Sequence, residues 1–125
     1  MVYEDDATLA FMDLRQPAGA VPGHLLVIPK AHTATLYDLE PEPAARVFQA
    51  VATVARAMRR ALPEMEGLSV WQSNGAPWQE VFHLHVHLMP RRRGDGLFHV
   101  YQVPPAEAER AALDELAARV RAGLG

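Results

Sequence analysis

Cysteine is absent from this chain of 125 residues. Without thiols, a disulfide framework, a thiol nucleophile and a cysteine-ligated zinc site are all excluded. The sequence also lacks an apolar stretch of the roughly 20 residues that a membrane-spanning helix needs. No positively charged start leads into an apolar run, so we expect no secretory signal. These absences make a cytoplasmic protein the default expectation.

The chain has little net charge. Its formal charge is −3 at pH 7, with 22% charged residues and 50% hydrophobic residues. A basic surface able to bind bulk nucleic acid is therefore not expected, whereas the composition is typical of a globular protein. The length suits one domain with a modest core. We predict a single domain over residues 1–125, with no nucleic-acid or membrane partner.

Histidine is concentrated at one place in the chain. His83, His85 and His87 alternate with apolar residues in a predicted strand over residues 82–89, so half of the six histidines lie within five positions. Successive side chains of a strand point to opposite faces, which directs all three imidazoles to one face. Core packing does not call for three groups that titrate near neutral pH. We therefore interpret the run as a functional site.

Two kinds of chemistry suit three aligned imidazoles. Zinc wants each nitrogen at about 2.0–2.1 Å, but the outer Cβ atoms of the run are expected about 13 Å apart. An adjacent pair with a third ligand from elsewhere remains an alternative. The interpretation that we favour is acid–base or covalent catalysis without a bound metal. The isolated His32 and His99 are interpreted as ordinary surface or core residues.

Hydrophobic periodicity predicts five strands and two helices. We expect strands at residues 2–3, 8–12, 24–28, 68–71 and 82–89, a long helix within 39–62 and a C-terminal helix over about 105–122. In the last helix, Leu113, Leu116 and Val120 are expected to face inward. Short connections favour antiparallel pairing. The predicted class is α+β, a five-stranded antiparallel sheet whose face opposite the histidines is covered by the long helix.

Groups that suit phosphate chemistry flank the histidines. Asn74 and Gln79 carry amide donors, and the turn between them offers backbone N–H groups. The arginines at 91–93 follow the strand and are interpreted more as a solvated loop than as polyphosphate contacts. Glu80 is a general base by type, but strict alternation places it on the face opposite the histidines if the strand extends that far.

A mechanism follows from three imidazoles in a row. The central one, His85, attacks phosphorus in its neutral form, while one neighbour fixes its tautomer and another protonates the leaving group. The product of this step is a nucleotidyl-imidazole that water hydrolyses. Positioned donors can supply much of the stabilisation without a metal.

At residues 83–88 the sequence resembles the histidine triad (HIT) family, whose motif is three histidines that alternate with apolar residues. Residues 22–32 (PGHLLVIPKAH) look like the family's second signature. Residues 4–6 and 9–13 look like its early strands, and residues 79–82 like its approach to the triad. The resemblance covers about residues 2–95.

The resemblance implies a homodimer with one continuous sheet and a reaction at the α-phosphate of a purine nucleotide. It implies that His85 is the nucleophile and that His87 contacts the phosphate and the leaving group. His83 and His24 would set imidazole orientation. Asp13 stands where the family places its ribose contact.

Further residues are assigned by the same resemblance. Phe11, Leu14 and Leu26 line the base pocket or belong to the core, and either Ser73 or Asn74 is the sugar–phosphate contact. Some relatives carry a Cys-x-x-Cys pair that this sequence lacks, so no structural zinc is expected. The resemblance implies no required cofactor, although a polyphosphate substrate can bring its own magnesium.

The substrate and the class of function stay open at this stage. Residues 90–91 and 94–95 look slightly more like the dinucleoside-polyphosphate branch than the phosphoramidase branch. The alternative to an enzyme is a nucleotide-binding regulatory protein with incidental catalysis. Replacement of His85 separates the two, because only an enzyme depends on its nucleophile.

Overall fold

The protein is described here from a computed structural model that covers residues 1–97 and 103–124, so His99 lies outside the described residues. Five antiparallel strands form one sheet in the order β1-β2-β3-β5-β4. The strands are β1 (Tyr3–Glu4), β2 (Thr8–Met12), β3 (Leu25–Pro29), β4 (Gly67–Trp71) and β5 (Val86–Arg91). The helices are α1 (Pro41–Ala61) and α2 (Arg110–Ala122). The predicted α+β class and the antiparallel sheet are confirmed.

Helix α1 covers one face of the sheet. Proline at its first position has a fixed φ that suits a helix start, and its missing N–H is not needed there. Its buried residues recur at three- and four-residue spacing: Val47, Ala50, Val51, Val54 and Met58. They pack on inward side chains of the sheet, which include Ala10, Leu25, Val27, Val86 and Leu88. The long helix was predicted on this face, and the opposite face carries the histidines.

A row of four side chains crosses the face of the sheet away from α1. The register pairs Phe11 with Leu26, Leu26 with His87, and Trp71 with His87. Directly opposed residues of antiparallel strands have Cβ atoms about 4.5–5.5 Å apart, so their side chains are in contact. We call these four residues the open-face row. His87 therefore lies between Leu26 and Trp71.

The strand that carries the histidines begins later than predicted. Regular pairing in β5 starts at Val86 rather than at residue 82. The preceding chain bends, and the Leu84 N–H donates to the carbonyl of Thr33 at 2.7 Å, outside the sheet. Strict alternation therefore does not extend back to Glu80. The prediction that Glu80 faces away from the histidines is wrong, because it lines the same cavity as His85 and His87.

The C-terminal helix differs from the prediction in its surroundings. Helix α2 forms, but Leu113, Leu116 and Val120 are 43%, 52% and 71% exposed, so the expectation that they face inward is wrong. None of its residues is buried. The periodicity correctly predicted an apolar stripe on the helix. It does not reveal which other surface, if any, packs against that stripe. Within the described ranges, we find no helix with the length and hydropathy that a membrane crossing requires.

Gly23 is required by both its backbone and its surroundings. Its φ is +141°, and a Cβ placed there would lie 3.0 Å from Leu62 Cδ1 and 3.2 Å from Pro90 Cγ. We expect Gly23→Ala to lower the free energy of unfolding by about 1–3 kcal/mol, measured by urea denaturation. The control is Gly19→Ala, at φ +73° with no atom within 4 Å. If both variants lost the same free energy of unfolding, the close packing around Gly23 would make no contribution to the cost of the substitution.

Candidate active site

The tautomer of His85 is fixed by the main chain. Its Nδ1 lies 2.8 Å from the carbonyl oxygen of His83. A carbonyl oxygen only accepts hydrogen bonds, so Nδ1 carries the proton and donates. In the neutral ring the lone pair is then on Nε2. This is the form in which an imidazole is a nucleophile.

His83 is held in the same way by a different strand. Its Nε2 donates to the carbonyl of Pro29 at 2.8 Å, which leaves the lone pair on Nδ1. That nitrogen lies 3.4 Å from Nδ1 of the exposed His32. Both nitrogens of His83 therefore face protein groups. Its side chain anchors the segment before β5 to the end of β3, and its own carbonyl orients His85.

His87 lies at one end of a chain of three polar groups. Its Nδ1 is 3.0 Å from Nε2 of His24, and Nδ1 of His24 is 3.5 Å from Oδ2 of Asp13. A contact between two imidazole nitrogens needs a proton on one of them, so protonation of the two rings is coupled. The carboxylate of Asp13 stabilises a proton on the near nitrogen of His24. We call Asp13, His24 and His87 the relay.

The three groups of the relay are arranged in a line, Asp13 to His24 to His87, rather than around a common metal position. One donor atom from each of the three residues fits within 4.8 Å. This set contains only one of the three strand histidines, so it differs from the predicted alternative of an adjacent pair with a third ligand. In addition, His24 directs Nδ1 toward Asp13 and Nε2 toward His87, and one ring cannot direct both nitrogens at a single ion. The geometry favours proton transfer along the relay.

Burial holds His87 neutral. Its pKa is lowered to about 4, first by burial and then by the neighbouring imidazoles of His85 and His24, against a smaller opposite effect of the Asp13 carboxylate. At neutral pH this ring is uncharged. An incoming phosphate therefore meets a neutral imidazole, which can give up its Nε2 proton only as its Nδ1 receives another from His24.

The low pKa of His87 predicts how stability depends on pH. In the unfolded chain this histidine takes up a proton near pH 6.5, whereas the folded protein resists protonation until about pH 4. Between these values the unfolded state binds more protons, so stability falls as the pH is lowered. We expect the urea midpoint to decrease from pH 7 to pH 5, and His87→Gln to reduce that decrease. His32→Gln is the matched control, and an equal pH dependence in His87→Gln would contradict the assignment.

Two cavities border His85. The first has a volume of about 300 Å³ and is apolar, lined by Phe11, Leu26, Ile28, Val81, His83 and His85. The second, of about 440 Å³, includes the relay, Arg15, Glu80 and Trp78, and it shares Leu26, Val81 and His85 with the first. Leu14 is 99% exposed and lines neither cavity. Leu26 and His85 thus stand between an apolar space and a polar one.

Gln79 and Asn74 are engaged by the loop itself. Buried Gln79 donates to the carbonyls of Ala34 and Val81 at 2.6 and 3.1 Å, and its oxygen accepts the Gly75 N–H. Both of its N–H donors are therefore used in holding the loop. Its predicted phosphate contact stays a prediction, and it would require these bonds to be exchanged.

Asn74 is paired with a neighbour that the sequence did not single out. Asn74 and Gln72 exchange two amide hydrogen bonds of 2.8 Å, and Asn74 Oδ1 also accepts the Leu36 N–H at 2.7 Å. Neither Ser73 nor Asn74 lines a cavity that borders His85. Their sugar–phosphate contact therefore stays a prediction.

The arginines after β5 are engaged away from the two cavities. Arg91 forms a bidentate pair with Asp95, at 2.7 and 3.0 Å. Arg92 donates to the Gly19 carbonyl, and Arg93 pairs with Glu66. None of the three lines either cavity. The exposed positions of Arg92 and Arg93 agree with their interpretation as a surface loop, whereas Arg91 is the half-buried last residue of β5.

Trp71 is a site residue that sequence reasoning missed. Its ring lies parallel to that of His87, with an interplanar angle of 2° and centroids 4.5 Å apart. The sequence places Trp71 at the end of a strand but does not reveal which residue it opposes. That pairing depends on the register of β4 against β5, and a long connection separates the two strands.

Comparison with known proteins agrees with this site. The family model described as the HIT domain matches residues 1–94. A Bacillus subtilis protein named protein hit is 43% identical over 103 residues, which are 81% of this chain and 68% of that protein. A crystal structure of a HIT family protein from Bacillus anthracis has a TM-score of 0.84 and 35% identity, covering 98% of this chain and 85% of that one.

Two relatives with named activities are also similar. An adenosine 5′-monophosphoramidase from Saccharomyces cerevisiae is 36% identical over 92 residues, 73% of this chain and 53% of the relative. An adenylylsulfatase from Arabidopsis thaliana is 33% identical over 98 residues, 78% of this chain and 48% of the relative. The family match extends over both segments that carry the relay and His85. The chain therefore belongs to the HIT family.

Proposed function

We propose that this protein is a nucleotide hydrolase or transferase that acts at the α-phosphate of a purine nucleotide conjugate. The observation that carries the proposal is the hydrogen bond from His85 Nδ1 to the His83 carbonyl. It leaves Nε2 with the lone pair, on a ring that borders both cavities. The two named activities among the relatives, a phosphoramidase and an adenylylsulfatase, support a reaction on adenylyl conjugates.

The proposed reaction has two steps. Nε2 of His85 bonds to the α-phosphorus as the bond from phosphorus to the leaving group breaks, and the leaving group takes a proton from His87. For this step His24 starts with protons on both nitrogens beside the Asp13 carboxylate, passes its Nε2 proton to Nδ1 of His87 and becomes neutral. The reverse transfer in the second step restores His24. Water then attacks the nucleotidyl-imidazole, passes a proton to His87, and releases a nucleoside monophosphate and free His85.

The two cavities suggest how the substrate is placed. The apolar cavity, with Phe11 and Leu26, suits a purine base. The second contains Arg15 and the relay, which suit phosphate and leaving-group oxygens. A nucleoside phosphoramidate and a dinucleoside polyphosphate both satisfy this arrangement. Asp13 is retained as a proposed ribose contact because it also lines the second cavity.

No bound metal is required by the proposed chemistry. The nucleophile, the acid and the orienting groups are all side chains or backbone of this chain, and preorganised donors supply the charge stabilisation. A polyphosphate substrate can carry magnesium into the site as part of its own structure. Chelator is therefore expected to leave phosphoramidate turnover unchanged.

The test is turnover of adenosine 5′-phosphoramidate and diadenosine polyphosphates side by side, followed by phosphorus NMR with and without chelator. Chelator-resistant release of AMP from at least one of them is the expected result, and the ratio of rates selects the substrate class. Nucleotide binding without turnover of any of them would reject the enzyme and leave a nucleotide-binding regulatory protein. Loss of phosphoramidate turnover with chelator would reject the metal-free mechanism.

We also propose that the working form is a homodimer. Strand β4 is an edge of the sheet, and the apolar stripe of α2 is exposed in the single chain, with Leu116 at 52%. A second copy would bury both features. Light scattering is expected to give twice the 13.8 kDa of one chain, and Leu116→Glu to shift the equilibrium toward monomer. A monomeric wild-type protein at micromolar concentration would contradict the proposal.

A further inference from the structure

The two imidazoles of the relay lie on an aromatic surface. The indole of Trp71 is parallel to His87 at 4.5 Å and 2°, and it lies 5.6 Å from His24 at 17°. The planes of the two imidazoles are within 18° of parallel, with ring centroids 5.2 Å apart. One side chain from β4 therefore faces both rings that exchange a proton.

Core packing does not explain this tryptophan. Trp71 belongs to the open-face row, on the side of the sheet away from α1, and it is not among the residues of the hydrophobic core. It lines the second cavity together with His24, His85 and His87. Its position is set by register, since Trp71 is directly opposite His87 in the β4–β5 pair.

A relay of two imidazoles needs such a surface because histidine rings rotate easily. The χ2 torsion of histidine has a broad energy profile, and a proton passes between the rings only while Nε2 of His24 and Nδ1 of His87 are aligned at 3.0 Å. A flat ring beneath both permits sliding in the plane but opposes rotation out of it. The same ring excludes water from one side of His87, where burial is the largest cause of its low pKa.

We propose that Trp71 is a positioning residue that holds the rings of His24 and His87 nearly parallel and their facing nitrogens aligned, so that the relay delivers its proton to the leaving group. This inference rests on the proposed function for its effect on catalysis. Its structural part, the shared stacking surface, does not depend on any activity. The groups that face His87 from the surrounding elements are Asp13 and His24 before β3, His85 before β5, and Arg15 and Glu80 at the mouth of the second cavity.

The experiment compares Trp71→Phe, which keeps a flat ring, with Trp71→Leu, which keeps apolar bulk without one. We expect kcat for a substrate with a poor leaving group to fall roughly tenfold to hundredfold in the leucine variant, with little change in KM. The phenylalanine variant is expected to retain most of the rate. By NMR, the pKa of His87 is expected to rise toward its ordinary value in Trp71→Leu and to stay low in Trp71→Phe. If Trp71→Phe and Trp71→Leu had the same kcat and the same His87 pKa as each other, the proposal would be overturned.

A spectroscopic test separates this proposal from the proposed function. The chain has two tryptophans, so Trp78→Phe leaves Trp71 as the single indole emitter. Protonated imidazole quenches indole emission, so acidification is expected to quench Trp71 in one step that disappears when His24 and His87 are both replaced by glutamine. If the pH dependence of Trp71 emission were unchanged by replacing both histidines, the proposed stacking surface would be overturned. This result does not depend on whether Trp71→Leu folds. A response without turnover of any nucleotide would reject the enzyme while supporting the stack.

Discussion

His85→Ala is expected to abolish turnover while nucleotide binding persists. The variant loses the lone pair that the His83 carbonyl fixes on Nε2, and water cannot replace a positioned nucleophile. We expect a loss of more than about 3 kcal/mol of transition-state stabilisation, which is more than about a hundredfold in kcat/KM. Rates with a phosphoramidate and calorimetric binding of AMP measure the two properties separately.

The matched control is His32→Ala, the same substitution at an exposed histidine that contacts His83 but lines neither cavity. It is expected to keep most of the activity. Unchanged hydrolysis in His85→Ala would eliminate the proposed nucleophile. Loss of both turnover and binding, with the fold intact by circular dichroism, would point instead to a role in substrate binding.

His87→Gln is expected to produce a loss that depends on the leaving group. Glutamine keeps a polar side chain in the open-face row but cannot transfer a proton. With an amine or alkoxide leaving group, general acid catalysis accelerates the reaction by roughly a hundredfold to ten-thousandfold. The variant is expected to lose this acceleration. With a nitrophenolate leaving group, which departs without a proton, the first step of the variant, measured as the burst of nitrophenolate release, is expected to remain close to wild type.

Gln79→Leu provides a contrast, because Gln79 supports the loop rather than the proton chain. Its loss is expected to be similar for both leaving groups. If His87→Gln also slowed both substrates by the same factor, His87 would act in binding or nucleophile orientation. The proposed direction of proton transfer would then be incorrect.

The sequence predicted the fold well because its patterns are local. Alternation of apolar residues located β2 with correct bounds and β3 to within one residue, and three- and four-residue spacing located α1. These signals reflect one buried face of an element, which is a property of neighbouring residues. The same reasoning brought His85 and His87 to the face that α1 leaves open.

What the sequence did not predict depends on distant partners. Helix α2 has an apolar stripe, but whether this chain or another covers it is not encoded locally. Glu80 was misplaced because a hydrogen bond from Leu84 to Thr33 interrupts the strand pattern. Trp71 was missed because its contact with His87 is a matter of strand register. Each of these failures concerns a contact between residues distant in the sequence. The assignment of segments as helix or strand was largely correct.

The most direct test of the central claim is isolation of the covalent intermediate. Rapid acid-free quenching during turnover of an adenosine phosphoramidate, followed by intact-mass measurement and peptide mapping, reports any adenylylated side chain. We predict one adenylyl group per active chain, on His85. In His87→Gln, a nitrophenyl ester of AMP, whose leaving group needs no proton, is expected to increase the accumulation because water is activated poorly. Adenylylation of another residue would contradict the account. So would inversion of configuration at phosphorus, which indicates a single displacement, when one diastereomer of an α-phosphorothioate substrate is hydrolysed in water labelled with oxygen-18.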